Sequence, residues 1–167
     1  MTARCERSTW YATLTDATDQ FRVAQIDPRR LLDLRRRVLR GDDPAANVVE
    51  PRDDEATSLH LAGLVDERVV VCASFFAAAF PGYADAPAYQ LRFMATDPAV
   101  QGRGFGATVL IEAERRLSER GVARIWAYAR DTALGFYRAV GWTAVAGSEF
   151  LSAETALPHT VIFKVLS

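Results

Sequence analysis

Gln101-Gly102-Arg103-Gly104-Phe105-Gly106 joins two different kinds of sequence. Before it, Tyr89 to Thr96 is apolar and strand-like. After it, Phe105 to Arg120 repeats apolar residues at helical spacing: Phe105, Val109, Ala113 and Leu117, widened by Leu110. Glu112, Arg115, Arg116 and Glu119 occupy the opposite face. A strand, a glycine loop and a helix in that order offer bare backbone N–H groups to an anion. Glycine lets the chain turn and lets a ligand approach with no Cβ in the way. The helix N-terminus adds roughly half a positive charge. The stretch therefore points to a phosphorylated ligand.

Outward from this loop, the sequence reads as alternating short elements. Phe21 to Ile26 alternates as a strand does. Asp27-Pro28 then caps and opens a helix running to about Arg40. Gly41 to Glu55 is a loop rich in Asp and Pro. Ser58 to Leu64 and Val69 to Phe76 form an antiparallel hairpin turned at Asp66-Glu67. After the helix stops at Gly121, Ile125 to Ala129 is a strand and Thr132 to Val140 a short helix. Strands near Trp142–Ala146 and His159–Val165 close the chain. The order β-α-β-β-β-α-β-α-β-β predicts an α/β (α+β) fold. Its mixed, mostly antiparallel sheet has flanking helices and a central β-α-β unit with parallel strands. Residues 1–20 read as a polar tail or added edge segment, and residues 21–167 as one domain. The last strand is expected to lie exposed, where it could pair with a second copy, so monomer and homodimer both stay open.

A chain of 167 residues can bury a core without disulfide or metal staples. The net charge of −1 provides no field for nucleic acid or an anionic membrane. No signal-peptide core or membrane span is visible, so a soluble, cytoplasmic protein is expected. Arg35-Arg36-Arg37 reads as a solvated helix face. Cys5 and Cys72 lack metal-ligand spacing, and Cys72 reads as a core thiol.

Three phosphate-loop patterns compete at residues 101–106. A P-loop needs Gly-Lys-Ser/Thr, and Lys164 is the only lysine in the chain. A dinucleotide fold needs G-x-G-x-x-G in the first β-α turn, whereas these glycines follow several earlier strands. The pattern Q/R-x-x-G-x-G/A is satisfied by Gln101, Gly104 and Gly106.

That loop, Leu91 to Pro98 before it, and Ala133-Leu-Gly-Phe-Tyr-Arg-Ala-Val-Gly-Trp142 after it carry a resemblance. From about residue 21 onward the chain resembles the GNAT superfamily of acyl-CoA-dependent N-acetyltransferases. Trp142 stands where that family usually has Phe. A looser likeness, to a bacterial ElaA-like branch, rests on Leu34 to Arg40, Ser58 to Leu61, Leu91-Arg92 and Pro158-His159. That branch often carries Asn where Tyr128 stands here, so its pantetheine-holding role is not carried over.

The resemblance implies acetyl-CoA as co-substrate, no metal, and a primary amine of a small molecule, peptide or protein as acceptor. Backbone groups of Gln101, Gly102, Arg103, Gly104, Phe105 and Gly106 would hold the pyrophosphate, with Arg103 adding charge. Main-chain groups of Met94, Ala95 and Thr96 would position the thioester beside Phe136, in a slot left where the next strand diverges. Tyr137 occupies the position of the acid that protonates the leaving thiolate. No carboxylate lies within Leu91 to Thr96 to deprotonate the amine. That leaves His60, His159 or ordered water. Arg92 is either a clamp for a substrate carboxylate or an internal ion-pair anchor. Asp53-Asp54-Glu55 either attracts a cationic amine or, the preferred reading, is a solvated loop. The acceptor pocket is expected from the first helix, the loop 41–57 and the last strands. Two alternatives stand beside this reading: an acyl-CoA-binding sensor without turnover, and a nicotinamide oxidoreductase disfavoured by the glycine spacing.

Overall fold

The computed structural model describes residues 20–83 and 86–167. Most of the proposed tail, including Cys5, lies outside the described residues. The strands are β1 (Phe21–Gln25), β2 (Leu59–Val65), β3 (Arg68–Ala77), β4 (Ala88–Thr96), β5 (Arg124–Arg130), β6 (Thr143–Ala144), β7 (Phe150–Leu151) and β8 (Pro158–Val165). The helices are α1 (Leu32–Leu39), α2 (Phe105–Glu119) and α3 (Leu134–Ala139). The sheet order is β1-β2-β3-β4-β5-β8-β6, with β7 also on β8. Among the described residues only β4 and β5 pair in parallel; every other pair is antiparallel. The α/β fold with a mostly antiparallel sheet is thus observed.

The expectation of an exposed last strand is corrected. β8 pairs β5 on one side and β6 and β7 on the other, so its edges are covered. β7 had no sequence signal, because a two-residue strand is too short to show alternation.

The helices divide between the two faces of the sheet. Phe105, Val109, Leu110, Ala113 and Leu117 of α2 pack with Leu61, Ala73, Phe75 and Leu91, and Tyr137 of α3 and Trp142 join them. Leu31 and Leu34, at the start of α1, pack with Ala62, Leu64, Cys72 and Ala95 on the other face. Adjacent residues such as Leu61 and Ala62 serve opposite faces because strand side chains alternate. Gly63 has a packing reason. A Cβ there would lie 2.6 Å from the Phe21 ring, which itself stacks on Phe105 at 4.0 Å.

Arg35 overturns the reading of Arg35-Arg36-Arg37 as a uniformly solvated face. Its side chain is completely buried, whereas Arg36 and Arg37 make surface pairs with Asp33. The Arg35 guanidinium donates to both carboxylate oxygens of Asp53 (2.8 and 3.0 Å), to the Val48 carbonyl (3.0 Å) and to Ser74 Oγ (2.7 Å). Asp53 is therefore a buried ion-pair partner and not part of a solvated acidic loop. Burial alone would raise its carboxyl, but the Arg35 hydrogen bonds, the Glu50 N–H and the Arg35 charge together hold it below the usual range.

His60 completes this network. Ser74 Oγ accepts from Arg35 and donates to His60 Nδ1 at 2.9 Å, so Nε2 carries the proton and donates to the Asp53 carbonyl at 2.9 Å. Burial pushes the imidazole below its ordinary 6.5, against the opposing pull of the Asp53 carbonyl and carboxylate. A depressed folded pKa means that the unfolded chain takes up the proton more readily. Its stabilising contribution is present above about pH 6.5 and is lost as pH falls through the folded value. The melting temperature is expected to drop between about pH 7.5 and 5.5, and His60→Gln should flatten that drop. Identical slopes for the two proteins would rule His60 out as the source.

Candidate active site

β4 and β5 hydrogen-bond over three residue pairs only: Ala88–Arg124, Tyr89–Ile125 and Gln90–Trp126. β5 then continues to Arg130 in register with β8, while β4 continues in register with β3. The two parallel strands therefore part beyond Gln90, and a cleft of about 830 Å³ opens between them.

A bulge in β4 shapes one wall. Cys72 pairs with Ala95 and Ser74 with Arg92, so Phe93 and Met94 together face Ala73. Phe93 has φ +55°, a left-handed value rare for a bulky side chain. Its ring lies 4.3 Å from the buried Arg35 guanidinium, and its carbonyl accepts from Cys72 Sγ. Burial pushes the Cys72 thiol up to about 12, so it stays protonated as a donor. The bulge breaks the strand's alternation. Arg92 and Phe93 both turn to the α1 face, Met94 and Thr96 to the α2 face, and Ala95 back to α1.

The glycine loop closes the α2 side. Gly102 and Gly104 both adopt left-handed φ, +78° and +79°. Gly104 is the N-cap of α2 and supplies no side-chain cap. Consequently the N–H groups of Phe105, Gly106 and Ala107 at this fifteen-residue helix's start have no side-chain acceptor, and no acidic residue sits in the first turn. Such a terminus is suited by geometry and dipole to an anion. Gln101 Nε2 ties the loop back to the Thr96 carbonyl at 3.2 Å. A Cβ on Gly106 would lie 3.2 Å from Met94 Cε and from Thr96 Oγ1, so glycine there keeps the helix close to β4.

The structure brings most of the residues singled out in the sequence to this one cleft. Met94, Ala95 and Thr96 form the β4 wall, and Gln101, Gly102, Gly104, Phe105 and Gly106 the loop end. Phe136 and Tyr137 come from α3, and Arg92 and His159 lie at the α1 side. Arg103 does not line it; it is exposed, with its guanidinium 5.0 Å from the Phe105 ring centroid. His60 also stands outside the cleft, with both ring nitrogens engaged as described.

Tyr137 is almost wholly buried, packed edge-on to Phe136 at 5.2 Å and tilted to Trp142 at 5.3 Å. Burial raises its phenol well above the ordinary tyrosine value, so the hydroxyl holds its proton at neutral pH. His159 Nδ1 lies 2.8 Å from the Leu157 carbonyl, which can only accept. The neutral tautomer therefore carries its proton on Nδ1, which leaves Nε2 as its acceptor nitrogen. Arg92 is held by two carboxylates, Glu50 at 2.8 Å and Glu154 at 2.7 Å.

Several lining residues had no sequence signal of a role. Arg40 lies just past α1, Tyr128 and Arg130 are on β5, and Phe150 and Glu154 belong to the segment before β8. Only the parting of β4 from β5 places them together. The loop 41–57 contributes no lining residue; its part is indirect, through Glu50 and Asp53.

Comparison with known proteins agrees with this geometry. Residues 25–142 match the model of the acetyltransferase (GNAT) family. The chain is 33% identical over 144 residues to an uncharacterized N-acetyltransferase, YitI, of Bacillus subtilis, covering 86% of this chain and 95% of that protein. The chain belongs to the GNAT acetyltransferase family, whose fold serves acetyl-CoA-dependent acetyl transfer. Escherichia coli ElaA superposes with a TM-score of 0.69 at 15% identity, covering 86% of this chain and 99% of that one. E. coli YhbS, solved in complex with CoA, gives 0.67 at 19% identity, covering 89% and 82%. These scores are alike and do not single out the ElaA-like branch. Among the described residues there is no cluster of three or more metal-ligating side chains, and no helix is long and apolar enough to cross a membrane.

Proposed function

We propose that the chain is an N-acetyltransferase that moves an acetyl group from acetyl-CoA to a primary amine inside the β4–β5 cleft. The observation that carries this reading is the parting of two parallel strands above an uncapped helix N-terminus. The unpaired edge of β4 offers main-chain groups to an extended arm. The free amides of Phe105, Gly106 and Ala107 suit a pyrophosphate. Acetyl-CoA supplies the activated acetyl thioester; the chain supplies placement and proton handling.

Tyr137 is the proposed acid. A thiol titrates near 8.5 and a phenol near 10, so full proton transfer to a thiolate is uphill by about 2 kcal/mol before burial is counted. The phenol serves by hydrogen-bonding the sulfur as negative charge develops, and releases its proton as the C–S bond breaks. His159 Nε2 is the proposed base for an amine arriving protonated at the α1 side.

Gly104→Ala tests the donor half. An L-residue in the left-handed region costs about 1–2 kcal/mol, which either strains or re-aims the loop. The KM for acetyl-CoA should rise about tenfold, with kcat at saturation little changed. An unchanged KM would place the donor elsewhere. The acceptor half is tested by free-CoA release across a panel of amines. Bound acetyl-CoA with no turnover on any amine would favour the sensor reading.

A further inference from the structure

We propose that the acceptor amine carries a carboxylate, received by Arg40 and Arg92 on the α1 side of the cleft in the place that Glu154 now fills. This rests on the acetyl-transfer reading above and names its acceptor class.

The cleft is chemically two-sided. The α2 side holds the glycine loop, Met94, Thr96 and Tyr137, and it has the features of the donor site. The α1 side is lined by three arginines, Arg40, Arg92 and Arg130, against a single lining carboxylate, Glu154. Arg130 donates to the Leu39 carbonyl at 3.0 Å, and no carboxylate among the described residues pairs with it. A protonated amine alone would be repelled here. An amine that brings its own carboxylate is matched to the surplus.

Glu154 shows what the arginines accept. One of its oxygens takes Arg92 Nη2 at 2.7 Å and the other takes Arg40 Nη2 at 3.1 Å. Two guanidinium groups thus grip one carboxylate, one at each oxygen, through charge-assisted hydrogen bonds. Glu154 itself sits on a turn between β7 and β8, with its side chain more than half exposed. Its removal leaves Arg92 still paired with Glu50, while Arg40, only 19% exposed, loses its carboxylate partner and is left matched to another carboxylate. The neighbouring wall is aromatic: Phe150 lies 5.0 Å from Tyr128 and 5.8 Å from the His159 ring. His159, the proposed base, lines the same cleft as the clamp. A carboxylate held by Arg40 and Arg92 would leave the amine of the same small molecule free to reach the base and the acetyl group. The transfer balances: the ammonium gives one proton to His159, the neutral nitrogen forms the new C–N bond, the C–S bond breaks as Tyr137 protonates the thiolate, and the second nitrogen proton restores the Tyr137 phenol.

The test uses α-amino acids, ω-amino acids and dipeptides, each assayed beside its own C-terminal amide, with rates corrected for the fraction of neutral amine. At least one free acid should exceed its amide in kcat/KM by about tenfold or more. Arg40→Gln should bring that ratio close to one. Glu154→Gln, on an exposed turn where folding is not at stake, should lower KM for the acids and leave KM for the amides unchanged. Amides or plain alkylamines used as well as the acids, or a ratio unmoved by Arg40→Gln, would overturn the proposal. A binding arm separates this proposal from the acetyl-transfer reading. If no amine is acetylated, the same acids should still raise the melting temperature of the CoA-loaded wild type more than that of Arg40→Gln. Such a shift sinks acetyl transfer and upholds the carboxylate site; no shift sinks the site.

Discussion

Replacing Tyr137 by Phe is expected to lower kcat at least about a hundredfold while leaving the KM for acetyl-CoA within about twofold. The ring remains, so its packing against Phe136 and Trp142 and the surrounding core are retained. Only the hydroxyl is lost. A group that acts on the leaving sulfur contributes in the transition state and not in the ground state, hence the separation of kcat from KM. Because burial raises the phenol above its ordinary value, wild-type kcat should show no loss of a protonated acid until well above pH 10. A kcat for Tyr137→Phe within about threefold of wild type would remove Tyr137 from the chemistry and leave it as a core tyrosine.

Arg35→Met should produce the largest loss of stability. The substitution fills similar space but leaves the Asp53 carboxylate buried with no cation beside it, and deprives Ser74 Oγ and the Val48 carbonyl of a donor. Breaking a buried pair in this way costs about 3–5 kcal/mol. For a domain of this size that is a fall in melting temperature of about 10 °C or more. Arg22→Ala provides the contrast: its pair with Glu67 is exposed on both sides and screened by water, so its loss should barely move the melting temperature. Equal losses for the two variants would contradict the buried network. Arg35 also touches the Phe93 ring beneath the bulge, so partial unfolding of this network would reach the cleft wall directly.

The residues explain why some of this was legible in the sequence and some was not. The α2 stripe was readable because five buried residues repeat at helical period and Gly121 ends the run. The hairpin turn was readable from Asp66-Glu67 between two apolar runs; both residues take positive φ, as a two-residue hairpin turn requires. The donor half of the site was readable because its parts lie in one contiguous stretch with fixed glycine spacing. The bulge was not, because nothing in Leu91-Arg92-Phe93-Met94 marks Phe93 for a left-handed conformation. Local propensity gave way there to the Arg35 contact and the Cys72 hydrogen bond. The burial of Arg35 and Asp53 was hidden for a similar reason. Within their own segments they look like surface charges, and their pairing spans eighteen positions of chain. The α1-side arginines gather from three separate elements, so only the tertiary structure brings them to one opening.

The most direct test of the account is stoichiometric. Wild-type protein saturated with acetyl-CoA is mixed with its best amine from the panel, and free thiol and N-acetyl product are measured together. The account predicts one CoA released for each N-acetylated amine, with both falling in step in Tyr137→Phe. CoA released without N-acetyl product, or acetyl-CoA bound with neither product formed on any amine, would contradict it.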